Sequence, residues 1–317
     1  VDSASDSIAS PSKPAAPSKT TFAIQPEGFP GLPPGWASDW ETFASADSRL
    51  QLFGIEHRKT ASQRPHATSL FVVHGFGEHG GRYLHWPHYL KSSVDSVYCL
   101  DLRGHGRSEG LRGHVADFDD LTEDFAHALR RRSRTENHVV AHSLGAIVAL
   151  RALHYYPDLP VKSLTLSAPC LELRAQVPFG QAVAAGALSR IWGSCHLDAG
   201  LDPAQLSRSP EVVAAYRRDR LVHSRITPRF YTEMKSAMRD TLRHCADVAV
   251  PTLMLVPMDD PVVNPDASVR FFGELQIKDR QIRMYRGFYH EPFNENGKET
   301  PFEDLRSWLK AHSPFLR

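Results

Sequence analysis

His138-Val139-Val140-Ala141-His142-Ser143-Leu144-Gly145-Ala146 is the stretch on which the reading of the fold turns. His138 to Val140 has the apolar character of a buried strand, while the residues through Ile147 and Leu150 carry a helical pattern. Ser143 is left alone at the corner between them. A serine held at so sharp a turn has a strained backbone and a hydroxyl that projects above the sheet, and small residues two before and two after it let strand and helix approach. Gly145 supplies one of these small residues; at the other position Ala141 stands where G-x-S-x-G would have glycine.

Working outward, further short apolar runs alternate with helical patterns. Leu50–Ile55, Thr68–Val73, Ser96–Leu100, Val161–Leu166, Thr252–Val256 and Gln281–Tyr285 read as strands. Continuous apolar strands separated by helices imply an α/β fold, a mostly parallel central sheet with helices on both faces. A helix starting near Asp117 has Asp119, Asp120, Glu123 and Asp124 early and Arg130, Arg131 and Arg132 late, matching the helix dipole, with Phe118, Leu121, Phe125 and Leu129 as its buried stripe. Those arginines are most simply a solvated helix end. The last helix is expected to open at Thr300-Pro301-Phe302-Glu303 as a hydroxyl cap, a proline and a glutamate three after the cap.

Between Leu166 and Thr252 the chain runs for roughly 80 residues, whereas a βαβ crossover needs only about a dozen or more. An inserted helical cap is expected there, over 172–246, between core segments 21–171 and 247–317. Phe230, Met234 and Met238 recur in it at helical spacing, and Val177, Phe179, Ile191 and Trp192 form a second apolar group. For either group, packing against the core competes with lining a ligand site. Residues 1–20, written mainly in Ser, Ala, Pro, Lys and Asp, are expected to be a disordered leader. Residues 21–40, rich in proline among aromatic residues, are expected to lie extended against the core. Val1 fits a cleaved export signal or an arbitrary starting point alike. An exported, periplasmic or secreted, location is the expectation, with the cytoplasm as alternative.

Composition narrows the partners. Thirty-seven Lys and Arg against 36 Asp and Glu leave a net charge of +1, so there is no whole-chain field to hold nucleic acid. The sequence contains no run of about 18 apolar residues such as a membrane span requires; transient contact with a membrane surface stays open, as does oligomeric state. Four cysteines without a C-x-x-C pair argue against structural zinc and a disulfide scaffold, and no metal or other cofactor is expected.

Acyl transfer at a serine needs amides aimed at the developing oxyanion. The segment Val72-Val73-His74-Gly75-Phe76-Gly77-Glu78-His79-Gly80-Gly81 follows a buried strand, and its glycines free the backbone for that task. The Phe76 and Leu144 N–H groups are the expected donors. A loop that cradles phosphate is the less favoured reading, since no G-x-x-x-x-G-K-[ST] is present. Around such an elbow the chain order is Ser, acid, His. After the Thr252–Val256 strand come only His290 and His312, and His290 lies in a loop after Gln281–Tyr285, where the base belongs. Asp259 and Asp260 both follow the earlier strand; Asp260 is preferred as the acid and Asp259 is read as a solvated turn residue.

His74-Gly75-Phe76-Gly77-Glu78-His79-Gly80-Gly81-Arg82-Tyr83, Asp101-Leu102-Arg103-Gly104-His105-Gly106-Arg107-Ser108-Glu109-Gly110, the Ser143 elbow, Asp260 and Tyr289-His290 together resemble the monoacylglycerol lipase and lysophospholipase branch of the α/β-hydrolases. The resemblance extends from about residue 50 to 309. It implies Ser143, Asp260 and His290 as nucleophile, acid and base, the Phe76 and Leu144 amides as oxyanion donors, and a helical cap before the acid-bearing strand. It makes Asp101, Arg103 and His105 organisers of their loop, and it matches Glu78 and Arg82 to head-group-binding positions. Phe293 stands where those lipases carry a second histidine. The expected function is a serine carboxylester hydrolase acting on monoacylglycerol, lysophospholipid or similar acyl esters, with Glu78, Arg82, Phe179, Phe230, Met234 and Phe293 against the substrate. The alternatives are an aminopeptidase or amide hydrolase of the same fold and a catalytically silent binding protein.

Overall fold

The computed structural model describes residues 25–61, 68–132, 136–175 and 179–313; for 179–184 it describes the backbone alone. The expected leader, residues 21–24 and the side chains of Val177 and Phe179 lie outside the described residues. Eight strands form one sheet in the order β1-β2-β4-β3-β5-β6-β9-β10. They are β1 (Trp36–Ala44), β2 (Gln51–Lys59), β3 (Thr68–Val73), β4 (Ser96–Asp101), β5 (Glu136–His142), β6 (Ser163–Ser167), β9 (Thr252–Pro257) and β10 (Arg280–Tyr285). The β1–β2 and β2–β4 pairs are antiparallel and the other five are parallel. The fold is the mostly parallel α/β sheet expected from sequence.

Helices cover the sheet on both faces: α1 (Trp86–Leu90), α2 (Asp119–Arg131), α3 (Leu144–Tyr155), α7 (Pro265–Glu274) and α8 (Glu299–His312). Alternation along the strands divides the core. Phe71, Val73, Val139, Ala141, Leu164 and Leu166 join α2, α3 and α7 in one cluster. Leu70, Val72, Val140, Leu253 and Leu255 join Trp86, Phe302, Leu305 and Trp308 of α1 and α8 in the other. All four residues of the expected α2 stripe are buried.

Residues 36–40, expected to lie extended against the core, do so as the start of β1, an edge strand paired with β2. One sequence expectation needs correction. Helix α8 starts at Glu299, with Lys298 at the cap position and no side-chain cap. Thr300 N–H already donates to Gly297 O at 3.0 Å and Phe302 N–H to Lys298 O at 3.2 Å, so the turn after Gly297 (φ 86°) starts the helix before the hydroxyl cap could act. Pro301 is tolerated because first-turn amides need no intrahelical acceptor.

The long connection between β6 and β9 carries α4 (Phe179–Trp192), the two-stranded ribbon β7 (Leu197–Asp198) and β8 (Arg225–Ile226), α5 (Pro210–Arg218) and α6 (Pro228–Arg243). Thr227 caps α6 by accepting from Phe230 N–H at 3.2 Å, with Pro228 at the first helical position. Ile191 and Trp192, at the end of α4, are exposed, at 85% and 64%; they do not pack inward with the apolar group to which the sequence assigned them. No helix among the described residues is long and apolar enough to cross a membrane.

Candidate active site

Strand β5 ends at His142 and α3 begins at Leu144, leaving Ser143 at φ 51°, ψ −115°. A positive φ on a residue with a Cβ is strained, and the surrounding bonds hold it: Ser143 N–H donates to Ser167 O at 3.0 Å, and Ser143 O accepts from Cys170 N–H at 3.1 Å. Gly145 is required by close approach, since a Cβ there would lie 2.5 Å from Val73 O and 2.6 Å from His74 O. Ala141 is accommodated without exposure in the core between β3 and β6. Leu144 N–H, at the start of α3, has no acceptor within its own helix.

His290 and Asp260 come to this corner from loops after β10 and β9. His290 Nε2 lies 2.9 Å from Ser143 Oγ, and His290 Nδ1 lies 2.7 Å from Asp260 Oδ2. Asp260 is fully buried, and its second oxygen accepts from the Val262 and Val263 amides at 2.7 and 3.1 Å. With the ring proton on Nδ1 donated to Asp260, Nε2 is free to accept the serine proton. Asp259 is placed elsewhere: its carboxylate accepts from Gly287 N–H at 2.5 Å, which ties down the loop leading to His290. It is therefore a loop anchor as well as a turn residue.

A family profile described as serine aminopeptidase, S33, matches residues 64–297. A monoacylglycerol lipase of Mycolicibacterium smegmatis is 30% identical over 246 residues, 76% of this chain and 87% of that one. The chain is an α/β-hydrolase of the monoacylglycerol lipase-like branch. A phospholipase of Bacillus subtilis is 29% identical over 79% of this chain and 98% of its own length. The crystal structure of Paleococcus ferrophilus monoacylglycerol lipase superposes with a TM-score of 0.74 at 30% identity, covering 83% of this chain and 99% of that one. These relatives make this hydrolase a carboxylic ester hydrolase.

The hydrolase holds a cavity of about 480 Å³ over Ser143 and His290. Phe76, Leu144, Glu78 and Met234 line it, together with Leu206, Ile226 and Tyr231 from the connection between β6 and β9. Three residues assigned to the substrate from sequence do not line it. Phe230 is fully buried, and its ring packs 5.2 Å from that of Phe76, so it fixes the loop carrying the Phe76 amide. Phe293 is buried against Trp86 and Phe302, with ring centroids 4.5 and 4.8 Å away, because the short 3₁₀ turn at Pro292–Asn294 directs it into the core below. Arg82 lies behind the wall, held at 2.8 Å by Glu78 and through two bonds of 2.6 and 2.7 Å by Glu291, with the Tyr216 ring over its guanidinium. The Phe179 side chain lies outside the described residues. Met234 and Met238 both belong to the buried core cluster, and of the two only Met234 also lines the cavity.

Glu291 was missed in the sequence reading. Its only signal is its place directly after His290, and its partner Arg82 is 209 residues away. Glu78 is a brace as well as a wall residue, since Oε1 accepts from Gly75 N–H at 2.6 Å and from Tyr83 O–H at 3.0 Å, holding the loop before Phe76. Burial by itself would raise the Glu78 carboxyl, but Arg82, with His142 and His74, outweighs it and holds the group down to about 2. His142 also lines the cavity; burial lowers it, and its Nδ1 sits 3.1 Å from Ser167 O, so the neutral ring donates there. Arg103 forks onto Asp124 at 2.5 and 3.0 Å, and Asp101 accepts from Gly80 and Arg107 amides at 2.6 and 2.8 Å. Both organise their loop, the role the resemblance implied.

Proposed function

We propose that this α/β-hydrolase cleaves acyl esters such as monoacylglycerol or lysophospholipid with Ser143 as nucleophile, His290 as base and Asp260 as its orienting acid. The observation that carries the reading is the unbroken chain from Asp260 through His290 to Ser143 Oγ at the wall of a mostly apolar cavity. His290 takes the serine proton as Oγ attacks the acyl carbonyl, and the Phe76 and Leu144 amides stabilise the oxyanion. The intermediate collapses as His290 returns the proton to the leaving alcohol; water, activated by the same imidazole, then releases the acid from Ser143. We read residues 172–246 as a cap over the core segments, with Met234 facing the acyl chain. A fluorophosphonate probe is expected to label Ser143, and p-nitrophenyl acyl esters are expected to turn over faster than aminoacyl anilides. Absence of labelling would leave a silent binding protein, and the reverse rate order would make the enzyme an amide hydrolase.

The acid limb of the rate profile follows from the same geometry. Burial by itself would lower the His290 pKa, yet the charge and hydrogen bond of Asp260 outweigh it and raise the value above the ordinary 6.5. The base acts only when neutral, so kcat/KM should fall as pH drops through that raised value and be retained above it. An acid limb centred below pH 6.5 would contradict the assigned pairing.

Acyl-chain selectivity tests Met234. Met234→Gln removes apolar contact worth roughly 1–3 kcal/mol to a long chain, so kcat/KM on long-chain esters should fall tenfold or more while butyryl esters survive. Met238→Gln, in the core, should instead lower the melting temperature and activity on all esters together. Equal losses on both chain lengths for Met234→Gln would remove it from the acyl path.

A further inference from the structure

The cavity wall is unusual in its charges. Glu78, Glu291 and Asp198 line it, and no Lys or Arg does among the described residues. Residues 176–184, whose side chains or placement lie outside that description, contain neither Lys nor Arg in their sequence. Of the cations around it, Arg82 is shared between Glu78 and Glu291 and Arg174 donates to the backbone carbonyl of Asp260 at 2.9 Å; Lys235, next to Met234, is close enough for its charge to act on Cys170 but does not line the cavity. One guanidinium between two buried carboxylates leaves that cluster with a net negative charge. A methyl group placed on Gly75 would lie 3.1 Å from both Glu78 Oε1 and Ser143 Cβ, so the charge sits in the immediate surroundings of the nucleophile.

We propose that this wall is a charge filter, set by Glu291 with Glu78, that admits acyl esters of neutral or cationic alcohols and rejects those whose alcohol carries a phosphate. The inference rests on the acyl-ester reading above and narrows its substrate class. A phosphate brought beside buried carboxylates loses its hydration and finds no guanidinium or ammonium on the described wall to replace it; like charges at close range in a medium of low dielectric are strongly disfavoured. Specificity arises here from repulsion of the wrong head. The filter also acts on the product. Hydrolysis converts a neutral ester and water into an alcohol, a carboxylate and a proton, so the acid is formed as an anion within an acidic wall and is driven out.

The experiment compares kcat/KM on octanoyl esters of glycerol, glycerol phosphate and choline at one ionic strength. The phosphate ester is expected to be at least tenfold poorer than the glycerol ester, and the choline ester at least as good. Glu291→Gln, which leaves Arg82 with one carboxylate, should narrow the glycerol-to-phosphate ratio threefold or more. Because that variant breaks a buried ion pair and can fail to fold, Asp198→Lys at the exposed mouth is its companion and should narrow the ratio with an unchanged melting temperature. Equal rates on all three heads, a preference for the phosphate, or a ratio that neither variant moves would overturn the filter. Failure to turn over any of the three, with no fluorophosphonate labelling, would instead remove the hydrolase reading and the filter with it.

Discussion

Ser143→Ala is expected to lower ester turnover by about 10⁵-fold or more while the melting temperature stays within a degree or two. The hydroxyl is the one atom on which the proposed covalent step depends, and His290 without it can only activate water from a geometry arranged for a serine. The backbone does not depend on it, since the φ of 51° is held by the Ser167 and Cys170 hydrogen bonds and by the approach of Gly145 to β3. Residual turnover measured on a p-nitrophenyl ester, with circular dichroism to check the fold, decides the matter. Retention of more than a tenth of the activity would transfer the nucleophile elsewhere.

The second large effect is expected at the acid. Asp260 Oδ1 is bound by two amides, from Val262 and Val263, and only Oδ2 faces His290. In Asp260→Asn the same amides require the oxygen of the new side chain, so its NH₂ group is turned toward Nδ1. The imidazole must then carry its proton on Nε2, where it cannot accept one from Ser143. A loss on the order of 10⁴ in kcat follows, with KM little changed. Asp259→Asn should cost less than tenfold, because an amide oxygen can still accept from Gly287 N–H. Comparing the two variants on one ester reads the difference directly, and the opposite ranking would move the acid to Asp259.

Much of this protein was legible in sequence because the deciding signals are local. A buried parallel strand writes itself as a continuous apolar run, and the corner at Ser143 needs small neighbours on either side, so the sheet and its elbow could be read from segments of ten residues or fewer. Chain order then left two histidines, one of them near the end of the last helix, and two adjacent acids. Tertiary structure decided what depends on distant partners. The sequence placed Asp259 and Asp260 side by side; only the three-dimensional path of the loop directs one to His290 and the other to Gly287. It placed Phe230, Met234 and Met238 on one helical stripe; all three are buried in one core cluster, and only the packing of α6 sets Phe230 against Phe76 and brings Met234 alone to the cavity wall. Phe293 and Arg82 turned away from the cavity for the same reason, as an aromatic cluster below and a pair of carboxylates behind the wall claimed them first. Local pattern determines which elements form and where a strained corner must lie, because propensity and periodicity act over a few residues. Which side chain meets the substrate is settled by contacts between residues up to 209 positions apart, as in the Arg82–Glu291 pair, and no short window of sequence contains them.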